Sequence, residues 1–200
     1  MSPPRPLPRG FYERPALVLA RALLGKVVVS DLGGARTMGR IVEAEAYRPD
    51  DPASHSFRGP TPGNLTMFGP PGHAYVYISH GIHRCMNAVG RSGSAALVRA
   101  LEPLEGLDEM ATRRGLDQER LLCAGPGRLC QALGVTRGED GVDLTRGDGL
   151  WIADGSPPRR VARTPRIGVG VGVGAAKLWR FVEEGTPWAS RPATRRSSAG

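Results

Sequence analysis

The stretch RIVEAEAY, Arg40 to Tyr47, places two carboxylates two residues apart with an aromatic ring next in the same phase. Read as an extended strand, it turns Glu43, Glu45 and Tyr47 to one face and Val42, Ala44 and Ala46 to the other, because successive side chains alternate. Carboxylates beside a flat ring, with small residues beneath, suit a site that activates water next to a flat ligand. The competing reading is an edge strand with a hydrated acidic face, and these eight residues by themselves favour it.

Three other groupings bear on chemistry. In HGIHRC, His83 and Cys85 share a strand face, but His80 falls at a turn and no fourth ligand is near in sequence, so no metal is expected. The run Gly168, Gly170, Gly172, Gly174 alternates strictly and lacks the strand-helix-strand follow-through of a dinucleotide site. Close approach of the backbone to a ligand or to another strand is the expected use of these glycines. The only lysines are Lys26 and Lys177, neither beside the carboxylate strand in sequence, which argues against an amine nucleophile and its Schiff base.

The elements that must position these groups read as a single α+β domain: a mostly antiparallel, curved sheet flanked by short helices, with a protruding β-hairpin. A helix is expected from Pro15 to Leu24, with Leu17, Ala20, Leu23 and Leu24 as its apolar stripe and Gly25 as its stop. Lys26 to Ser30 and Thr37 to Tyr47 read as strands paired through a turn at Gly33-Gly34. Residues 48 to 73 are too long and too rich in Pro, Gly and Ser for a plain connection, and His55, Arg58, Asn64 and Phe68 give that loop functional character.

Ala74 to Ile78 and Ile82 to Val89 form the hairpin around Ser79-His80-Gly81. A two-residue turn pairs Tyr77 with Arg84, whereas a three-residue turn pairs Tyr77 with Cys85 and Tyr75 with Asn87. Tyr75 reads as an ordinary strand aromatic. Ser94 to Pro103 is a further strand with Leu97 and Arg99 on one side, and Leu150 to Ala153 a short one. Short helices are expected at Gly106 to Arg114, Asp117 to Leu122 and Arg128 to Leu133, the last two separated by the breaker Gly125-Pro126-Gly127. Residues 1–8 read as a disordered arm, 9–188 as the domain and 189–200 as a basic, flexible tail.

Composition narrows the partners. The 200 residues carry a net charge of +8 and a pI near 10.2. Such an excess on one small domain favours a polyanion, and nearly all of it is arginine, whose planar fork matches phosphate oxygens. A G+C-rich genome would also replace lysine by arginine, so charge leaves nucleic acid, a membrane surface and mere solubility open. No apolar run approaches the roughly 20 residues that span a bilayer, and MSPPRPLPRG lacks an apolar signal core. The odd set Cys85, Cys123 and Cys130 points to reduced thiols and an intracellular setting, cytoplasm or nucleoid, or a nucleus.

Several motifs in order carry a resemblance: RIVEAEAY, Ala53-x-His55-Ser56, Met67-Phe68, PGHAYVYISHGIHRCMN, LVRALEPLEG, LCAGPGRLCQALG, PRIGVG, and WRF followed by GTPW. From about Arg9 to Trp188 the chain resembles the alkyladenine, or 3-methyladenine, DNA glycosylase family. That resemblance implies an enzyme that rotates a damaged purine out of duplex DNA and hydrolyses its bond to deoxyribose, with no cofactor. Glu45 would be the general base, Arg99 and the main-chain carbonyl of Ile167 would help hold the water, and Tyr47 opposite His55 and Tyr77 would sandwich the base. Asn87 would exclude the 2-amino group of guanine. His80, with Gly81 and Ile82, would wedge into the duplex, although the mammalian members carry tyrosine where His80 stands.

The placement of the two lysines, independently of the family likeness, leads to the expectation of base removal without strand cleavage; the expected partner is double-stranded DNA with damaged purines, met by a monomer without membrane. A passive DNA- or RNA-binding module and a hydrolase of free nucleosides are the alternatives.

Overall fold

The computed structural model describes residues 4–170 and 174–193. Among the described residues eight strands form one sheet, and every pairing is antiparallel. In chain order the strands are β1 (Val27–Ser30), β2 (Thr37–Tyr47), β3 (Ala74–Ser79), β4 (His83–Val89), β5 (Ala95–Glu105), β6 (Leu150–Ala153), β7 (Val161–Thr164) and β8 (Arg180–Glu183). The helices are α1 (Arg9–Tyr12), α2 (Ala16–Leu23), α3 (Leu107–Arg114), α4 (Glu119–Leu122) and α5 (Pro126–Ala132). The sheet order is β3-β4-β5-β2-β1-β6, with β8 on β2 and β7 on β8. The expected α+β architecture with short flanking helices is what forms.

The long strand β2 is central, contrary to the edge-strand reading. β5 runs along one side of it, while β1 takes Thr37–Arg40 and β8 takes Glu43–Glu45 on the other. Both glutamates are consequently fully buried. Sequence reading missed β7 and β8, whose four-residue runs pair with each other across an irregular connection; β8 joins the sheet by pairing with β2, far back in the chain.

Two irregularities in the β2–β5 ladder set the site. Ile41 pairs with Leu101 and Glu43 with Ala100, which leaves Val42 as an extra residue. The phase of the strand shifts there, so Ile41, Ala44 and Ala46 enter the main core cluster and Val42, expected beside Ala44 and Ala46, does not. Glu43 pairs with Ala100 and Ala44 with Val98, which leaves Arg99 as the extra residue on β5. Bulges re-aim side chains, and this one presents the Arg99 guanidinium to both glutamates.

The core lies between the sheet and the helices. α2 buries Leu19, Ala20 and Leu23 against β2 and β5, where Ala44, Ala46 and Ala96 are small enough to admit it. α5 buries Leu129 and Cys130 against β4 and β5. It starts at Pro126, so the expected breaker is instead the start of the helix, with proline at a first-turn position whose N–H needs no partner.

Both ends of the domain extend further than expected. Pro4 accepts a hydrogen bond from Trp151 Nε1 at 2.9 Å, Pro6 bridges to Ala153, and Leu7 is buried, so the arm from Pro4 onward covers the open edge of β6. Ala189 is buried and Ser190 is bonded to Glu43, so the tail does not begin at 189. Residues 1–3, Gly172 in the Gly-Val run, and 194–200 lie outside the described residues. Cys85, Cys123 and Cys130 are free and buried. No helix among the described residues is long and apolar enough to cross a membrane.

Candidate active site

A cleft of about 710 Å³ opens where β2 ends beside the β3–β4 hairpin, bounded by Ile167–Gly170 and by the Gly125–Arg128 turn. It brings together Tyr47, His55, Tyr77, His80, Asn87, Arg99 and Ile167. Glu45 lies directly beneath it. Its side chain is fully buried, and the three groups bonded to it all line the cleft. Ile167 N donates to Glu45 Oε1 at 2.8 Å, Arg99 Nε stands 3.3 Å from the same oxygen, and the Tyr47 hydroxyl donates to Oε2 at 2.9 Å. Ile167 therefore meets Glu45 through its amide, where its carbonyl was the expected contact at the site.

Glu43 has a different shell. Its Oε1 accepts from Arg99 Nε at 2.9 Å, Arg180 Nε at 2.7 Å and Ser190 Oγ at 2.8 Å, and its Oε2 accepts from Ser190 N at 2.6 Å. Burial would raise its pKa, but Arg180 and Arg99 together with the Ser190 amide outweigh burial and hold it below the usual carboxylate range. For Glu45 the balance is reversed: burial dominates and raises its pKa despite Arg99, the Ile167 amide and the Tyr47 hydroxyl. The two carboxylates are thus pushed in opposite directions, and Glu45 holds a proton more readily than Glu43.

The aromatic wall is built on the hairpin and the long loop. His55 and Tyr77 meet edge-on, with ring centroids 4.4 Å apart, and Tyr75 stacks on Tyr77 at 5.5 Å. Tyr75 OH and His55 Nδ1 are 2.8 Å apart. Tyr75 is thus part of the site, although the sequence reading set it aside. The loop carrying His55 is pinned by Asn64 Nδ2 donating to the His55 carbonyl at 2.7 Å and by Ser56 Oγ donating to the Gly93 carbonyl at 2.6 Å. Burial lowers the His55 pKa, so its ring stays neutral at pH 7.

The hairpin has the three-residue connection, with Ser79 opposite His83, Tyr77 opposite Cys85 and Tyr75 opposite Asn87. His80 and Gly81 both have positive φ, 50° and 74°, and Ile82 at the tip is 71% exposed. Asn87 is buried and donates from Nδ2 to the Tyr75 carbonyl at 3.0 Å, which fixes its amide at the cleft floor. Gly168 and Gly170 line the cleft with open space where a side chain would stand, so neither is packed closely against another strand.

Behind Tyr47 lies a group that sequence reading missed. The buried Arg166 guanidinium sits 4.7 Å from the Tyr47 ring centroid and 5.1 Å from that of Trp179, and it binds Asp51 at 2.5 Å. Lys177 comes closer to the site than its place in the sequence suggested. Its Nζ is 3.6 Å from Asp51 and 4.3 Å from the Trp179 ring, but the residue does not line the cleft. Lys26 is paired with Asp154. Among the described residues no group of His, Cys, Asp or Glu comes together to hold a metal.

No local signal could have found Arg180, Ser190 or Arg166. Each acts across more than a hundred residues of chain, and each looks locally like one more arginine or serine.

Residues 10–187 match the family described as methylpurine-DNA glycosylase (MPG). Relatives named "Putative 3-methyladenine DNA glycosylase" include one from Agrobacterium fabrum, 46% identical over 92% of this chain and 92% of the relative. Another, from Burkholderia lata, is 47% identical over 95% and 93%, and a third, from Nitrosospira multiformis, is 49% identical over 90% and 92%. The chain belongs to the methylpurine-DNA glycosylase family.

Proposed function

We propose that this protein is a monofunctional DNA glycosylase that removes alkylated or deaminated purines from duplex DNA, of the 3-methyladenine, 7-methylguanine, hypoxanthine and ethenoadenine class. The observation that carries the reading is the buried, proton-seeking Glu45 directly under a cleft walled by Tyr47, His55 and Tyr77. In this reading the duplex loses stacking and pairing at one nucleotide, a cost of a few kcal/mol that is least for a damaged pair. His80, Gly81 and Ile82 at the hairpin tip fill the gap left behind, and the purine enters the cleft.

A water then enters between Glu45 and Arg99, whose contact at 3.3 Å is the longest of the three on the carboxylate. Glu45 takes a proton from that water as its oxygen attacks C1′, and the C1′–N bond breaks with the electron pair leaving on the base, so that a cationic alkylated purine departs neutral and a neutral lesion departs as an anion that takes up a proton from solvent. The products are a free purine and an abasic site. The aromatic faces stack flat bases and favour cationic ones. Asn87 meets the position that carries the 2-amino group in guanine.

Strand cleavage would need an amine in the cleft. Lys26 is bound by Asp154, and Lys177 is held between Asp51 and Trp179. The protein acts as a monomer, in the compartment that holds the chromosome.

The test is Glu45→Gln, which removes the proton acceptor with little change of shape. Expected are retained binding to hypoxanthine-containing duplex and loss of alkali-labile sites by a factor of about 100 or more. Excision at the parent rate would refute the assignment. Borohydride should trap no covalent complex with DNA, and a trapped complex would refute the monofunctional mechanism.

A further inference from the structure

Glu45 does not stand alone with Arg99. Across the central strand lie four charges in contact: Glu43 and Glu45 on β2, Arg99 on β5 and Arg180 on β8, which pairs with Glu45 in the ladder. All four side chains are buried, with exposures of 0%, 0%, 8% and 4%. Arg99 Nε is shared, 2.9 Å from Glu43 and 3.3 Å from Glu45. Glu43 is clamped further by Arg180 and by both donors of Ser190. Arg180 is fixed in turn, donating to Thr164 Oγ1 at 3.0 Å and to the Arg191 carbonyl at 2.6 Å.

Neither Glu43 nor Arg180 lines the cleft. We propose that they are positioning residues for the reaction: they hold Arg99 against Glu45 and keep the buried quartet at zero net charge, and so fix the pH at which Glu45 becomes the base. This rests on Glu45 being that base.

The other groups facing Glu45 are accounted for. From β2 comes the Tyr47 hydroxyl, from β3 Tyr77 and from β4 Cys85, all of which burial keeps neutral through the working range. The segment after β7 contributes the uncharged Ile167 amide. Arg166, behind Tyr47, is matched by Asp51. Arg191, at the cleft rim, stands in the segment that follows Ser190. Among the described residues, the charges in contact with Glu45 or with its arginine partner are thus those of the quartet.

Charge arithmetic gives opposite signs for the two single substitutions. Glu43→Gln leaves the quartet one unit positive when Glu45 is ionised. It also frees Arg99 to pair with Glu45 alone. Arg180→Gln leaves it one unit negative. Glu43→Gln is nearly isosteric, whereas Arg180→Gln shortens the side chain and gives up bonds of the guanidinium to Glu43, Thr164 and the Arg191 carbonyl.

The experiment is the pH dependence of single-turnover hypoxanthine excision from duplex DNA by the two single variants, the double variant and the parent. The acid limb should move down by roughly one to two pH units in Glu43→Gln and up by a similar amount in Arg180→Gln, as for unit charges about 6 Å apart at an effective dielectric near 20. In the double variant it should return to within about half a unit of the parent. A purely structural role would slow the variants without moving their limbs in opposite directions.

Limbs that stay put, or that move the same way, overturn the proposal. Should Arg180→Gln not fold, the direction of the Glu43→Gln shift decides. Glu45→Gln assayed alongside separates the two ideas: if it is active the base assignment fails, and if it is inactive while the limbs stay put only the quartet's role fails.

Discussion

Tyr47→Phe isolates one hydrogen bond at the centre of the site. The substitution keeps the ring that lines the cleft and the Arg166 contact on its back, and it removes only the hydroxyl that donates to Glu45 Oε2 at 2.9 Å. A hydrogen bond to a charged acceptor contributes about 1.5–3 kcal/mol, which corresponds to roughly one to two pH units at the carboxylate. Because the hydroxyl stabilises the ionised form, its loss raises a Glu45 pKa that burial has already raised.

The acid limb of excision should therefore move up by about one to two units, while affinity for lesion-bearing duplex changes by less than about threefold, since stacking is intact. Stability carries the same sign. A carboxyl whose folded pKa exceeds its unfolded value favours the folded state below that range, and the advantage fades as pH rises through the folded value. The hydroxyl offsets part of that loss. Tyr47→Phe should be less stable than the parent at neutral pH, and the gap should narrow as pH falls and Glu45 takes up its proton. Denaturant midpoints across the acid range check this. An unmoved limb with weakened DNA binding would show that the hydroxyl serves the ligand rather than the carboxylate, and would refute the reasoning.

Other expectations are simpler. His80→Ala should reduce excision from duplex about tenfold or more and leave excision from single strands much less affected, because the wedge has a role only where a stack must be opened; parallel assays on both substrates decide. Asn87→Ala should relax exclusion of guanine, read as guanine release from undamaged duplex, and should cost about 1–3 kcal/mol of stability because the buried Tyr75 carbonyl loses its donor. Leu19→Ala, in the fully buried face of α2, should lower stability by about 2–5 kcal/mol without moving the pH profile.

The alternation of RIVEAEAY held from Glu43 to Tyr47, where period-2 geometry is local to a regular strand, and failed at Val42, where the bulge against β5 shifts the phase. The hairpin was legible for the same reason. Its two turn lengths were open, and the three-residue form found here is what puts Tyr75 opposite Asn87 and Tyr77 opposite Cys85. The basic, arginine-heavy composition and the helix stops likewise follow from residue type and spacing.

Tertiary structure decided the rest. A bulge cannot be read from one strand, since it exists only as a mismatch between two; the extra residues Val42 and Arg99 appear only when β2 lies against β5. Nor can a strand of four residues announce itself, and β8 carries Arg180 to Glu43 across 137 residues of chain. The carboxylates differ in sequence by position alone. Their opposite proton affinities arise because one is ringed by charged donors while the other is left with desolvation as its dominant influence, and that division depends on which distant segments fold back onto the central strand.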